Sequence, residues 1–164
     1  MGTAARQSPS SSRFAGTLVT RPVWLVGILA TLAGAVAAEA FTLVARGVGV
    51  PMEAAGVWET ETQTIAVGDI ARSVVLWSIG GIVLAVALAR WAKRSARTFV
   101  VATVAFTVLS LAAPALAQDT AVSTQVVLAA THVVAAAVII SILARRLAAR
   151  EAAGSVAPGR RRLD

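Results

Sequence analysis

Residues 90–97 read Arg90-Trp91-Ala92-Lys93-Arg94-Ser95-Ala96-Arg97, four positive charges around one indole, set between two long apolar runs. That octet decides the fold class. A basic loop flanked by runs long enough to cross a bilayer predicts two membrane helices joined on the cytoplasmic side, where Lys and Arg accumulate. Working backward from it, Ile70–Ala89 forms one span, with Asp69 placed to cap its start. Working forward, Thr98–Ala117 forms the next, with Pro114 in its last turn.

The same alternation continues outward. Pro22 suits a first helical turn, and Val23–Val44 is a further span with Trp24 at its entrance. At a rise of roughly 1.5 Å per residue it covers a hydrocarbon core of roughly 30 Å. Beyond the three-residue turn Gln118-Asp119-Thr120 lies a fourth, Ala121–Leu143; so short a turn makes the last two spans antiparallel neighbours. The expected class is all-α: a four-helix transmembrane bundle, antiparallel and up-down.

Thirteen of the fifteen basic residues lie in residues 1–22, in the 90–97 loop or in the tail beyond residue 143, leaving Arg46 and Arg72 on the other side. Both termini are therefore expected in the cytoplasm of a bacterial plasma membrane, with the acidic connection 45–69 outside. The outer connection holds helix-breaking Gly47, Gly49, Pro51, Gly56 and Gly68, and Val57–Ala66 fits a short helix or strand equally well. Trp58 is expected at the membrane surface. Residues 1–22 and the tail beyond Glu151 are polar enough to be disordered. Residues 1–40 also satisfy a signal-peptide pattern, with Ala38-Glu39-Ala40 as the cleavage motif. Against this, the apolar run resumes at Phe41, and Ala115-Leu116-Ala117 shows the same motif deep inside the chain.

Composition excludes several functions. With no cysteine, disulfides, thiol catalysis and thiolate metal centres are ruled out. One histidine and two methionines leave almost no ligand inventory, so no metal and no cofactor is expected. There is no phosphate-binding glycine loop, no HExxH, no intramembrane aspartate pair and no GxSxG elbow, so no enzyme class is indicated. The net charge of +7 sits beside apolar spans, which fits anionic headgroups rather than nucleic acid. Arg90, Lys93, Arg94, Arg97, Arg145 and Arg146 are the candidate headgroup contacts, with a homo-oligomer or membrane-protein partner left open.

Two ionisable residues fall inside spans. Glu39 lies roughly 7–8 Å from the outer end of the first. It reads as a structural pair with Arg72, at similar depth, or as an ion- or proton-binding carboxylate. His132 lies about 16–17 Å into the fourth span, near the midplane. It reads as a packing residue hydrogen-bonded between helices, or as a proton relay. Thr31, Ser78 and Thr107 have similar depth and are its possible polar neighbours. Small residues Ala30, Gly34, Ala38 and Thr42 recur at helical spacing on the first span and permit close packing; Gly80-Gly81 is read as another packing point. Ser123, Thr124 and Gln125 are expected to cap the fourth helix or contact headgroups.

In the Trp24-led first span, Gly47–Pro51, Arg90–Arg97 and Thr131-His132-Val133-Val134, the chain resembles small four-span actinobacterial integral membrane proteins of unknown function, over about residues 22–147. The resemblance implies fold and location only. Small multidrug transporters also have four short helices with a glutamate in the first, but their carboxylate is deeper and their charges are balanced. Three functional readings remain: a structural, accessory or regulatory membrane protein, a proton-coupled transporter or ligand-binding protein using Glu39 and His132, and, least supported by the residues, a membrane enzyme acting on a lipid or quinone.

Overall fold

The computed structural model describes residues 21–55, 61–117 and 119–156. Expectations for residues 1–20, for Trp58, for Gln118 and for residues 157–164 lie outside these. The chain is mostly helical. In order come α1 (Val23–Gly47), β1 (Glu53–Ala54), β2 (Gln63–Thr64), α2 (Asp69–Trp91), α3 (Ser95–Ser110), α4 (Ala112–Leu116) and α5 (Val122–Val156). Four helical segments are long and apolar enough to cross a membrane: α1, α2, α3 with α4, and α5.

Each boundary has a local cause. α1 ends in a glycine-based C-cap: Gly49 adopts φ +88°, its N–H bonds Arg46 O, and Val50 N–H bonds Ala45 O. This is the paired bonding that satisfies a helix's last carbonyls, with the hydrophobic contact between Val50 and Ala45 that accompanies it. The helix therefore runs past Val44 to Gly47. α3 stops at Ser110 because Pro114 has no N–H to offer the Ser110 carbonyl, and its ring crowds that carbonyl. Leu111 N–H is shared between Thr107 O and Val108 O, and α4 restarts from there. α5 continues beyond Leu143 to Val156. Its 35 residues span about 52 Å, more than a hydrocarbon core requires. In the outer connection, β1 and β2 pair antiparallel, Glu53 with Thr64 and Ala54 with Gln63.

Packing is uneven. In its most apolar stretch α1 is 39% buried, against 6% for α2, 11% for α3–α4 and 22% for α5. The central contact is α1 against α5; α2 lies on α1, and α3 lies on α5. All four meet in one cluster, where Val23, Val26 and Ala30 of α1 pack with Ala85, Phe99, Leu143 and Leu147. A second, smaller cluster joins Ala45, Met52 and Val127, with Val50, Ile65 and Leu128 against it.

The small residues of α1 do what their spacing predicts. Ala30, Gly34, Ala38 and Thr42 are all buried. A Cβ on Gly34 would stand 2.8 Å from Ile139 Cγ1, and one on Gly27 2.9 Å from Ile82 Cγ1. The reading of Gly80 and Gly81 as packing points is corrected: a Cβ on either would meet nothing within 4 Å, and α2 passes through them unbroken. The turn of the helix carries them away from α1.

Gly34→Leu should therefore destabilise the protein by about 1–3 kcal/mol through overpacking. Gly80→Ala should be neutral or stabilise by up to about 1 kcal/mol through helix propensity. Thermal unfolding of both variants in detergent, followed by far-ultraviolet circular dichroism, checks the contrast.

Candidate functional site

A helix leaves its first N–H groups without intrahelical partners, and a side chain at the N-cap ordinarily takes one of them. Neither α2 nor α3 has such a residue. The N-cap of α2 is Gly68, at φ +95°, and that of α3 is Arg94; neither makes a side-chain cap bond. Each helix instead receives a glutamate from elsewhere in the chain.

Glu39 supplies α2. Its Oε1 accepts from Gly68 N–H at 2.8 Å and its Oε2 from Ala71 N–H at 3.0 Å. Both carboxylate oxygens are thus engaged by backbone donors at the positive end of a helix, a favourable place for an anion. Gly68 suits the position because its positive φ is strained for any residue with a Cβ. Thr42, a turn further along α1, donates its hydroxyl to Glu39 O at 2.8 Å.

The Glu39–Arg72 pair expected from depth alone does not form. Arg72 pairs with Asp69 at 3.3 Å, on an exposed surface of the same helix turn. Asp69 also accepts from Ala66 N–H at 2.9 Å, through its other oxygen. Glu39 and Arg72 do line one groove of about 450 Å³ between α1 and α2, otherwise walled by side chains such as Leu32, Val36, Leu43 and Val75.

Glu151 supplies α3. Its Oε1 accepts from Ser95 Oγ and from Ala96 N–H, each at 2.8 Å. Sequence reasoning missed this residue by placing it where the tail turns irregular. The available signal was a glutamate set among Arg145, Arg146 and Arg150 on the continuing helical run, with a serine at the start of the neighbouring span.

His132 is half-buried, and its Nδ1 lies 2.7 Å from Leu128 O, one turn back on its own helix. Thr131, buried beside it, bonds the same carbonyl. His132 is not among the residues lining the groove that holds Glu39. Of its expected polar neighbours, Thr107 donates to Thr103 O within α3, Ser78 is half-buried, and Thr31 is buried with its hydroxyl unpartnered among the described residues. The structure therefore keeps Glu39 and His132 in separate surroundings.

At the hairpin end, Arg46 donates through Nη2 to Ile65 O. Thr124 donates to Pro51 O at 2.6 Å, and Gln125 Nε2 donates to Ala117 O at 2.8 Å. Thr124 and Gln125 thus tie loops down rather than cap their own helix. At the opposite end Arg146 grips the entry to α1, donating through Nε and Nη2 to Arg21 O at 2.9 and 2.7 Å. Among the described residues, no group of three or more His, Cys, Asp or Glu is arranged to hold a metal.

A match over residues 18–149 places the chain in the Family of unknown function (DUF6069), to which it belongs. No curated protein and no solved structure matches it. Family membership and the four apolar helices fit a small membrane protein.

Glu39→Ala should strand the Gly68 and Ala71 amides and cost about 0.5–2 kcal/mol, the range for losing a cap. Hydrogen exchange should accelerate at residues 68–72 and leave the Ser95 and Ala96 amides unchanged. Glu151→Ala should show the reverse pattern.

Proposed function

We propose that this protein is a non-enzymatic, multi-pass protein of the bacterial plasma membrane, structural, accessory or regulatory in role, with both termini in the cytoplasm. The observation that carries this reading is the use of the intramembrane carboxylate. Both oxygens of Glu39 are occupied by backbone donors of α2, so this carboxylate serves helix assembly. A proton-coupled carrier would need Glu39 and His132 to share a polar path, and His132 is bonded to its own helix in different surroundings.

The contacts support an up-down antiparallel arrangement. Along α1, Gly34 meets Ile139 and Ala45 packs with the earlier Val127 of α5, while Gly27 meets Ile82 and Glu39 meets the earlier Gly68 and Ala71 of α2, so both helices run against α1. The end that holds Arg21, Arg97, Arg145 and Arg146 also presents exposed Trp24 and Trp91, as an interfacial belt would. The positive-inside bias then assigns that end to the cytoplasm.

Two measurements test the proposal. In proteoliposomes loaded with a pH-sensitive dye, an imposed gradient should dissipate no faster than in empty vesicles, and Glu39→Gln should change nothing; Glu39-dependent proton movement would overturn the reading. Because the chain has no cysteine, single replacements report orientation directly. In intact cells a membrane-impermeant maleimide should label Gln63→Cys and spare Ser155→Cys.

A further inference from the structure

The end of the molecule rich in arginine has two kinds of guanidinium. Arg146 is committed to the Arg21 carbonyl. Glu151, the nearby carboxylate, is committed to the start of α3. Arg97 and Arg145 are exposed and have neither a hydrogen bond nor an ion pair among the described residues. These two arginines, one on α3 and one on α5, line a single groove of about 440 Å³ between those helices.

The remainder of that groove is apolar and made of small side chains. Ala96, Val100 and Val101 form one wall, Ala144 and Ala148 the other. Val100, Val101 and Ala144 belong to the apolar stretches that can cross a membrane, whereas Arg97 and Arg145 stand where those stretches give way to basic sequence. The groove therefore offers cations at its polar end and a narrow hydrocarbon-lined track beside them. Short side chains leave room along the helix pair for a chain as slender as a lipid tail. The groove between α1 and α2 lacks this pairing: its arginine is tied to Asp69 and its other charge is Glu39.

We propose that the α3–α5 groove is a binding site for one anionic phospholipid, its phosphate held by Arg97 and Arg145 and one acyl chain lying along Val100, Val101 and Ala144. Guanidinium forks suit phosphate oxygens, and basic pockets between membrane helices are a recognised mode of headgroup binding. The leaflet is the cytoplasmic one, and that assignment alone rests on the orientation proposed above.

The test uses the full chain in nanodiscs, which expose both faces and so make the result independent of orientation. Spin-labelled phosphatidylglycerol and phosphatidylcholine are compared by the motionally restricted fraction in electron paramagnetic resonance. The wild type should prefer phosphatidylglycerol, and Arg97→Ala and Arg145→Ala should each lose about 5-fold of that preference. Arg90→Ala and Lys93→Ala, at the same end but off the groove, should each lose less than about 2-fold. Val101→Trp, at an exposed position on the track where both charges are kept and the track is filled, should bring phosphatidylglycerol down to the phosphatidylcholine level; Val101→Leu should lie between. Equal losses from the 97/145 and 90/93 variants would show diffuse attraction and overturn the site. So would an undiminished preference in Val101→Trp. Failure of the maleimide pattern would reverse the leaflet and leave the groove standing.

Discussion

A helix inside a hydrocarbon layer cannot leave its first amides to water, because none is there, and every unpaired backbone group costs several kcal/mol. Glu39 answers that constraint for α2. Its placement on a neighbouring helix means that the cap is also a tertiary contact. It fixes how far α2 slides along α1, because only one register brings Gly68 and Ala71 to the same carboxylate. The close approaches at Gly27 and Gly34 then follow from a register already set.

Glu151 repeats the device for α3 from the far end of α5. The two most heavily packed helices thus each carry the carboxylate that seats a lightly packed one. This division matches the burial: α1 and α5 form the inner pair, and α2 and α3 lie against them with most of their surface outward. Polar anchoring suits the outer helices. A membrane offers little hydrophobic driving force between spans, so directed hydrogen bonds and close packing must carry association.

The four apolar stretches were legible in the sequence because hydropathy and charge change together at their ends, as at Arg90–Arg97. The packing face of α1 was legible too, since Ala30, Gly34, Ala38 and Thr42 repeat at helical spacing. The role of Glu39 was not. Depth counted from each apparent end of a span makes Arg72 its natural partner; the actual donors lie 29 and 32 residues away and are backbone N–H groups, which carry no side-chain signature. Glu151 was hidden for the same reason. Gly80-Gly81 misled because a glycine pair signals thinness without saying which way it faces. The end of α1 was recoverable, since glycine followed by valine at 49–50 is a known helix stop.

The contact between α1 and α5 has a consequence for how the protein is made. Of the four apolar helical segments described, the first made is the one with the largest buried share, and its main partner is the last made of the four. Until α5 arrives, α1 has only α2 to pack against, and α3 has no carboxylate to begin on. The core that joins all four helices can therefore close only once α5 is present. A chain that stops short of residue 122 therefore lacks both the main partner of α1 and the carboxylate on which α3 begins.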